Sequence, residues 1–372
     1  MVGGSIAALT AAGGLRQEGF DGELTLVSAE PHPPYSRVPL SKGVLAGTEA
    51  AETTLLPTAG LDLALRTGVV ATALDTGRRL VSLADGDRLP YDGLVVATGA
   101  RARRLPGAEG AAVVRTLDDA LALHARLRSA GSVVVVGASF LGMEIASTAR
   151  ALGLAVTVVD LAPPLGRLGR WLSALAGAVA REAGIRVIHS SAGVRCTGPH
   201  TVSCSGDVVQ ADLVVCAVGD EPDVGWLQGS GLPVDHATRG VPVDERCRVT
   251  PSIVAAGDVT TRLGRRTPHW TNAVEQGRAA AAALLRGDEA APCRHDPYFW
   301  TEQTGFTVKI SGELPPDTDP EILDGDPGGS ERSLLLRWQY EGGSTVAAVN
   351  YRIPVVRLKR LGAGAPAVSP TS

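Results

Sequence analysis

Cysteine is scarce in this chain of 372 residues, and no two of its five cysteines have the Cys-x-x-Cys spacing. An odd number of scattered cysteines argues against both a disulfide framework and a zinc site. We therefore expect no bound metal. The share of apolar residues, 44%, with 20% charged residues, indicates a globular protein with a large hydrophobic core. The five are Cys196, Cys204, Cys216, Cys247 and Cys293.

Long apolar runs and an excess of basic charge are also missing. No stretch reaches the roughly 18 apolar residues that a membrane helix requires. The net charge of −4 at pH 7 does not favour nucleic acid or an anionic membrane surface as a partner. The first 15 residues are uncharged but lack the basic start of a signal peptide. We expect a soluble, cytoplasmic protein that binds neither nucleic acid nor membranes.

Lysine is rare, whereas glycine is abundant. Of the 35 basic residues, only Lys42, Lys309 and Lys359 are lysines, so each lysine is worth a closer look. Lys42 lies in a proline-containing loop. It is either a functional cation or an ordinary surface lysine. Glycine accounts for 45 of the 372 residues, whereas the usual share of about 7% would give roughly 26. This excess indicates tight turns around ligands.

A glycine turn close to the start has the pattern of a dinucleotide-binding unit. The residues Val2-Gly3-Gly4-Ser5-Ile6-Ala7-Ala8 lead into an Ala/Leu-rich helical stretch, then the strand-like segment 23–27 and then Glu30. Glycines allow a tight turn and a close approach of a pyrophosphate, and the terminal acid accepts hydrogen bonds from ribose hydroxyls. Only Met1-Val2 precedes the turn, where five or six apolar residues are expected. Either the start of the sequence is called too late, or the first strand is truly short, which would weaken the sheet and the hold on a bound pyrophosphate.

The same pattern returns about 134 residues later. The apolar segment 133–136 leads to Gly137-Ala138-Ser139-Phe140-Leu141-Gly142, a helix to about Gly153, a strand at 155–159 and then Asp160. Either copy alone is compatible with an ordinary α/β turn. Two copies in register indicate two bound dinucleotides, most simply FAD and a nicotinamide cofactor.

Two further apolar strands end in glycine turns. Residues 94–96 lead to Ala97-Thr98-Gly99, and residues 253–256 lead to Gly257-Asp258. A glycine at the end of a buried strand lets the backbone lie against a flat ligand. A buried aspartate in such a position needs partners.

These residues resemble the ferredoxin reductase branch of the FAD-dependent pyridine nucleotide-disulphide oxidoreductases, the group of putidaredoxin reductase and biphenyl dioxygenase ferredoxin reductase. The resemblance covers nearly the whole chain. The passages that carry it are 34–42 (PYSRVPLSK), 92–99, 115–119 (RTLDD), 257–258, 269–277 (HWTNAVEQG) and 297–300 with Gln303. Ser36 and Val38 depart from the family's Asp and Pro.

The resemblance implies an α/β fold with two Rossmann-like dinucleotide-binding domains, for FAD and NAD, and a C-terminal α+β domain. The FAD domain would comprise 1–112 and 236–296, with the NAD domain inserted at 113–235. The C-terminal domain would comprise 297–372, and its tail after Gly362, rich in Ala, Gly, Pro and Ser, would be disordered.

The resemblance also implies a set of FAD-binding positions. Arg37 and Lys42 would lie along the FAD, with Lys42 close to the flavin N5 edge, and Trp270 would pack beside the isoalloxazine. A cation there would stabilise the reduced flavin. The FAD-binding residues would be Gly3, Ser5, Ala7, Glu30, Arg37, Lys42, Val70, Thr98, Gly99, Arg115, Gly257, Asp258 and Trp270.

A second set would bind the nicotinamide cofactor. Glu144 would lie near the carboxamide, and it would share the catalytic role with Lys42 and Trp270. Asp160 favours NADH over NADPH because a carboxylate repels a 2′-phosphate, although Arg167 and Arg170 follow closely and offer a phosphate site. The NAD-binding residues would be Gly137, Ser139, Gly142, Glu144, Asp160 and Gly219.

The cysteines and aromatics narrow the reaction. Residues 30–60 contain no cysteine, so the redox pair of the disulfide reductases is missing and electrons would leave the flavin directly. Cys216 lies in an apolar segment and is interpreted as core. Trp270, Trp300 and Phe299 would either cover the flavin or pack in a core.

We expect an NADH:ferredoxin oxidoreductase, a monomer or homodimer whose partner is a small iron–sulfur ferredoxin that serves an oxygenase. Two basic segments, Arg262/Arg265/Arg266 and the later cluster 352–360, would face an acidic ferredoxin, or else be dispersed surface arginines. The alternatives are a reductase of a small acceptor such as a quinone, and a relative that lacks FAD and has no enzymatic activity.

Overall fold

The composition of the first helix suits its buried position. The computed structural model describes residues 1–294 and 296–362. The first helix consists largely of alanine, leucine and glycine, and it buries Ala8, Ala11 and Ala12 completely. The α-helices of the described residues are α1 (Ile6–Gln17), α2 (Gly43–Ala46), α3 (Leu117–Leu127), α4 (Phe140–Ala151), α5 (Gly169–Glu182), α6 (Trp270–Arg286) and α7 (Val355–Gly362).

Strands occupy four successive parts of the chain. The first part holds β1 (Leu24–Ser28), β2 (Leu63–Thr67), β3 (Ala71–Asp75), β4 (Leu80–Leu83), β5 (Arg88–Pro90), β6 (Leu94–Val96) and β7 (Ala100–Ala102). The second holds β8 (Ser132–Val136), β9 (Ala155–Asp160), β10 (Arg186–His189), β11 (Val194–Gly198), β12 (Thr201–Cys204), β13 (Asp207–Gln210) and β14 (Leu213–Cys216). The third holds β15 (Asp220–Pro222), β16 (Val241–Pro242), β17 (Arg248–Thr250), β18 (Ile253–Ala255) and β19 (Thr260–Thr261). The last holds β20 (Tyr298–Gln303), β21 (Phe306–Ser311), β22 (Glu321–Gly325), β23 (Leu334–Tyr340) and β24 (Gly343–Val349).

The chain divides into two units. The first takes in Met1–Val38, Ala51–Arg101 and the segment that starts at Asp220. The second takes in Pro39–Ala50, Ala102–Gly219 and the segment that starts at Asp296.

The first unit contains a mostly parallel sheet in the order β2-β1-Val2-β6-β18-β17. Val2 forms parallel bridges to both Val27 and Val96, so the expected shortened first strand is present as a single residue at the sheet centre. β6 and β18 are buried along their whole length, as expected of parallel strands covered on both faces. The antiparallel sheet β3-β4-β5 lies in the chain between β2 and β6.

The second unit repeats this plan. Its parallel sheet has the order β10-β9-β8-β14, and the antiparallel sheet β11-β12-β13 lies in the chain between β10 and β14. When the strands of each parallel sheet are numbered in chain order, with Val2 as the first strand of the first sheet, both sheets begin 3-2-1-4. This is the strand order of dinucleotide-binding folds.

The same unit contains an antiparallel five-stranded sheet in the order β20-β21-β24-β23-β22. Buried and half-buried residues alternate along most of β21, whereas β23 and β24 each contain a run of buried residues. Leu358 of α7 is fully buried in the same core cluster. Phe299 of β20 packs edge-on against Phe140 of α4, with ring centroids 5.7 Å apart. β20 therefore adjoins the helix that follows the second glycine turn.

The predicted fold class is confirmed: two Rossmann-like sheets and a C-terminal α+β segment are present. Predicted strands shift by one or two residues at their ends. The sequence places the first at 23–27, for example, and the structure has Leu24–Ser28. The three domain boundaries drawn from the resemblance stay a prediction, and the tail from residue 363 lies outside the described residues. No helix in the described ranges has both the length and the apolar character needed to cross a bilayer.

Four of the five cysteines lie in the cores of the two units. Cys196, Cys204 and Cys216 are at most 5% exposed, and burial raises the pKa of Cys196 to about 12. Cys293 is partly exposed, and a hydrogen bond from the Cys247 thiol lowers its pKa. Among residues 1–294 and 296–362, no cluster of His, Cys, Asp and Glu has the arrangement of a metal site.

This difference predicts a selective modification. Iodoacetamide at mildly alkaline pH is expected to label Cys293 of the native protein and to leave Cys196 unlabelled, because only a thiolate reacts. Peptide mass spectrometry measures the labelling, and Cys293→Ser, which should take up almost no label until urea unfolds it, is the control. Comparable native labelling of Cys196 would contradict the prediction.

Candidate functional site

The first glycine turn is pressed against the end of a neighbouring strand. Gly3 N donates to Val27 O at 2.8 Å, and Ala97 N donates to Val2 O at 2.8 Å. Gly3 has φ +125, and a Cβ at this position would lie 2.0 Å from Ala97 O. Only glycine fits, because both the backbone angle and the carbonyl exclude a side chain.

The second glycine turn is built in the same way. Gly137 N donates to Val159 O at 2.9 Å, Ala217 N donates to Val136 O at 2.7 Å, and a Cβ on Gly137 would lie 2.3 Å from Ala217 O. The second glycine of this turn, Gly142, would place a Cβ 1.9 Å from Gly137 O. The glycines thus hold each turn against its sheet and bring the helix close behind it.

Both turns deliver a helix whose first amides carry no side-chain cap. Ser5 and Ser139 are the N-cap residues of α1 and α4, and neither makes a capping hydrogen bond or is followed by an acid in the first turn. Ser5 Oγ donates instead to Tyr35 O at 3.2 Å. Two uncapped positive helix ends above glycine turns have the geometry that binds a pyrophosphate. The turns therefore fit two dinucleotide cofactors.

The two predicted ribose acids have different partners. Asp160 Oδ2 accepts from Ala138 N at 2.5 Å and Oδ1 from Ala162 N at 3.1 Å, so this carboxylate is held at the second glycine turn. Glu30 Oε1 pairs with Arg37 Nη2 at 2.6 Å, and its other oxygen accepts from the Tyr35 hydroxyl. Glu30 and Arg37, predicted as separate FAD contacts, thus form one ion pair.

The predicted strand-end residues are held by hydrogen bonds of their backbone or side chains. Thr98 Oγ1 donates to Asp223 O at 2.6 Å, and Asp223 N donates to Gly99 O at 3.0 Å. Gly257 N donates to Oε1 of Gln276 at 2.8 Å.

Gln276 is 5% exposed and also accepts from Thr260. It lies inside the passage 269–277, but the sequence assigned it no role. A glutamine on the alanine-rich face of α6 was the available signal. The carbonyl oxygen of Asp258, another predicted FAD-binding residue, accepts from Arg266 Nη2 at 2.9 Å.

The second unit brings together Lys42 and Glu144, which were predicted from distant parts of the chain. Lys42 Nζ lies 2.8 Å from Glu144 Oε2, and their side chains are 20% and 8% exposed. Two hydroxyls complete the site: Ser41 Oγ donates to Oε2 at 2.5 Å, and Thr301 Oγ1 donates to Oε1 at 2.7 Å. These four residues are called the Glu144 cluster below.

Sequence reasoning missed Ser41 and Thr301. The only signal was a glutamate among the apolar residues of α4, since a buried carboxylate needs several donors. A carboxylate held by an ammonium and two hydroxyls can orient an amide-bearing ligand and keep a positive charge in a fixed place.

The remaining predicted residues are scattered. Trp270 begins α6 and is 39% exposed, and Val70 is 48% exposed. Arg115 N donates to Asp119 Oδ2 at 3.0 Å in front of α3. Gly219 O accepts from Arg103 N at 3.0 Å, and Ala7 is buried in α1.

The two C-terminal aromatics differ. Phe299 is a core residue, whereas Trp300 is half-buried beside Tyr298, with ring centroids 5.7 Å apart.

Comparison with known proteins places these features in a family. The model of the family described as pyridine nucleotide-disulphide oxidoreductase matches residues 1–277. The chain is 34% identical over 339 residues to the ferredoxin reductase component of chlorobenzene dioxygenase from Cupriavidus sp. (strain PS12), covering 84% of this chain and 80% of the relative. It is 36% identical over 351 residues to rhodocoxin reductase from Rhodococcus erythropolis, with 87% and 80% covered.

A solved structure agrees with both. The covalent putidaredoxin reductase–putidaredoxin complex superposes with a TM-score of 0.84 at 30% identity, covering 97% of this chain and 91% of the other. Together with the two glycine turns and the repeated strand order, these matches show that the chain belongs to the pyridine nucleotide-disulphide oxidoreductase family.

Proposed function

We propose that this protein is an FAD-dependent NADH:ferredoxin oxidoreductase that delivers electrons to a small iron–sulfur protein serving an oxygenase. The observation that carries the proposal is the pair of glycine turns, each with an uncapped helix end, in a chain similar to reductases named for oxygenase systems. The domain boundaries at 112, 235 and 296, and a cytoplasmic location, belong to the same proposal.

The residues of the first unit would hold FAD. Gly3, Ser5 and Ala7 would receive the pyrophosphate, the Glu30–Arg37 pair would lie at the adenosine end, and Thr98 and Gly99 would support the cofactor at a strand end. When bound, FAD supplies hydride acceptance and the splitting of two electrons into single transfers. The protein contributes binding, orientation and electrostatics.

The residues of the second unit would hold NADH. Gly137 and Gly142 bring the uncapped amides of α4 to the pyrophosphate, and Asp160 would accept from the ribose hydroxyls. Glu144 would orient the carboxamide of the nicotinamide. Lys42, whose ammonium lies 2.8 Å from Glu144, would supply the positive charge that stabilises the reduced flavin. Fixed charges of this kind favour charge development without reorganisation.

The acceptor follows from what the chain does not carry between residues 30 and 60. No cysteine occurs there, so a dithiol relay is not part of the proposal and the acceptor takes electrons directly. The loop at Arg262 and Arg265 would contact an acidic partner, and its tip, Leu263, is 92% exposed. Arg266 pairs with Asp220 at 2.8 Å and Lys359 with Asp296 at 2.5 Å, which reduces the charge that those two cations present.

The test starts from the visible spectrum of the purified protein. Flavin absorption bands that NADH bleaches under anaerobic conditions are expected, followed by reoxidation when an oxidised [2Fe–2S] ferredoxin is mixed in by stopped flow. Transfer to a quinone with no transfer to any iron–sulfur protein would replace the proposal with a small-acceptor reductase. A protein that binds no flavin would overturn both.

Gly3→Ala is expected to remove most of the bound flavin, because the new Cβ would lie 2.0 Å from Ala97 O and would push the turn off the sheet. The flavin absorbance relative to the protein band measures retention. Gly60→Ala is the matched control, since Gly60 also has a positive φ, +79, but has no atom within 4 Å of the new Cβ. Equal flavin content in the two variants would contradict the role of the turn.

Asp160→Asn is expected to lower kcat/KM for NADH about tenfold, equivalent to ~1.4 kcal/mol, and to leave the value for NADPH unchanged or higher. The asparagine oxygen can still accept from Ala138 N, whereas the exposed hydrogen bond from Ala162 N is lost, and the charge toward the ribose is removed. Steady-state kinetics with both cofactors measure the ratio, and Asp207→Asn on exposed β13 is the control. An unchanged NADH:NADPH ratio would exclude Asp160 as the discriminating residue.

A further inference from the structure

The carboxylate of Glu144 is held from three directions. Oε2 accepts from Lys42 Nζ at 2.8 Å and from Ser41 Oγ at 2.5 Å, and Oε1 accepts from Thr301 Oγ1 at 2.7 Å. Glu144 is 6% exposed and Thr301 is fully buried.

The Thr301 hydroxyl is itself directed. Its oxygen accepts from Gln303 Nε2 at 3.5 Å, and a hydroxyl that accepts on one side has its proton free for another partner. That proton points to Glu144. The shorter contact, 2.7 Å to Glu144 Oε1, carries this assignment, because an ionised carboxylate only accepts and the threonine hydroxyl must be the donor.

The two segments that carry the hydroxyls are bound to the same helix. Ser147 and Thr148 follow Glu144 by three and four positions, so they share its face of α4. Thr148 Oγ1 donates to Ser41 O at 3.0 Å, and Ser147 Oγ donates to Thr304 Oγ1 at 2.7 Å. Helix, loop and strand β20 are thus held in one register around the carboxylate.

We propose that Thr301 is a positioning residue that holds the Glu144 carboxylate in the orientation in which it pairs with Lys42 and meets the nicotinamide cofactor. The inference rests on the proposed function, in which Glu144 contacts NADH. Without the threonine hydroxyl, Oε1 would lose a donor in a site that water hardly reaches. The carboxylate would then rotate to recover one.

The test replaces the hydroxyl by a methyl group of similar size. Thr301→Val is expected to slow flavin reduction at saturating NADH about tenfold, the scale on which a small misplacement of a reacting group is felt. KM is expected to stay within about twofold. Thr301→Ser, which keeps the donor, is expected to restore the rate.

A double-mutant cycle distinguishes positioning from a separate structural role. If Thr301 acts through Glu144, Thr301→Val has no further effect on the rate in a Glu144→Gln background, because coupled residues are not additive. Thr304→Val is the matched control: its hydroxyl contacts α4 through Ser147 and not through Glu144. That variant is expected to lower the melting temperature without changing flavin reduction.

An infrared measurement decides the point without turnover. With ¹³C-labelled glutamate, the carboxylate stretch that disappears in Glu144→Gln is expected to shift in Thr301→Val and to return in Thr301→Ser. A wild-type band and rate in Thr301→Val, or an equal loss of rate in the Glu144→Gln background, would overturn the inference. If NADH fails to reduce the flavin of the wild-type protein, the proposed function falls, and the infrared shift alone decides whether Thr301 orients the carboxylate.

Discussion

The close approach of a glycine backbone to the carbonyl at the end of a neighbouring strand determines much of this structure. At Gly3 and Gly137 the contact leaves no room for a Cβ, which would lie 2.0 and 2.3 Å from the strand-end carbonyls. Each contact sets where the following helix begins and leaves its first amides uncapped. Because the turn, the helix and the next strand share hydrogen bonds, one geometric constraint positions a whole cofactor-binding unit twice.

The two copies have diverged around this shared contact. In the second, Asp160 is bonded to the glycine turn itself, so the acid and the turn present one surface to a ligand. In the first, Glu30 is tied to Arg37 and Tyr35, and the acid reaches a ligand as part of an ion pair. A paired carboxylate is less negative toward solvent than a carboxylate bonded to an amide. The two copies therefore differ electrostatically at the acids that are proposed to bind ribose.

What the sequence predicts well is what depends on local spacing. Alternating glycine turns, apolar runs and terminal acids predict both parallel sheets, because strand and helix periodicity are properties of short windows. The contacts of Thr301 and Ser41 with Glu144 span 157 and 103 residues of chain, and no local pattern specifies them. The pairing of Val2 also depends on residues distant in the chain, because its two bridges are to Val27 of β1 and Val96 of β6.

The Glu144 cluster is hard to explain as a stabilising feature. Two charges taken out of water carry a desolvation cost that their attraction repays only with excellent geometry, and apolar side chains of similar volume are often as stable or more so. Here the geometry is complete, with an ammonium at 2.8 Å and a hydroxyl on each carboxylate oxygen. Three segments of the chain must meet to build it, although packed apolar residues would close the same space. An arrangement so demanding is understandable if the charges act on a ligand, because only then does their fixed orientation have a use beyond holding the unit together.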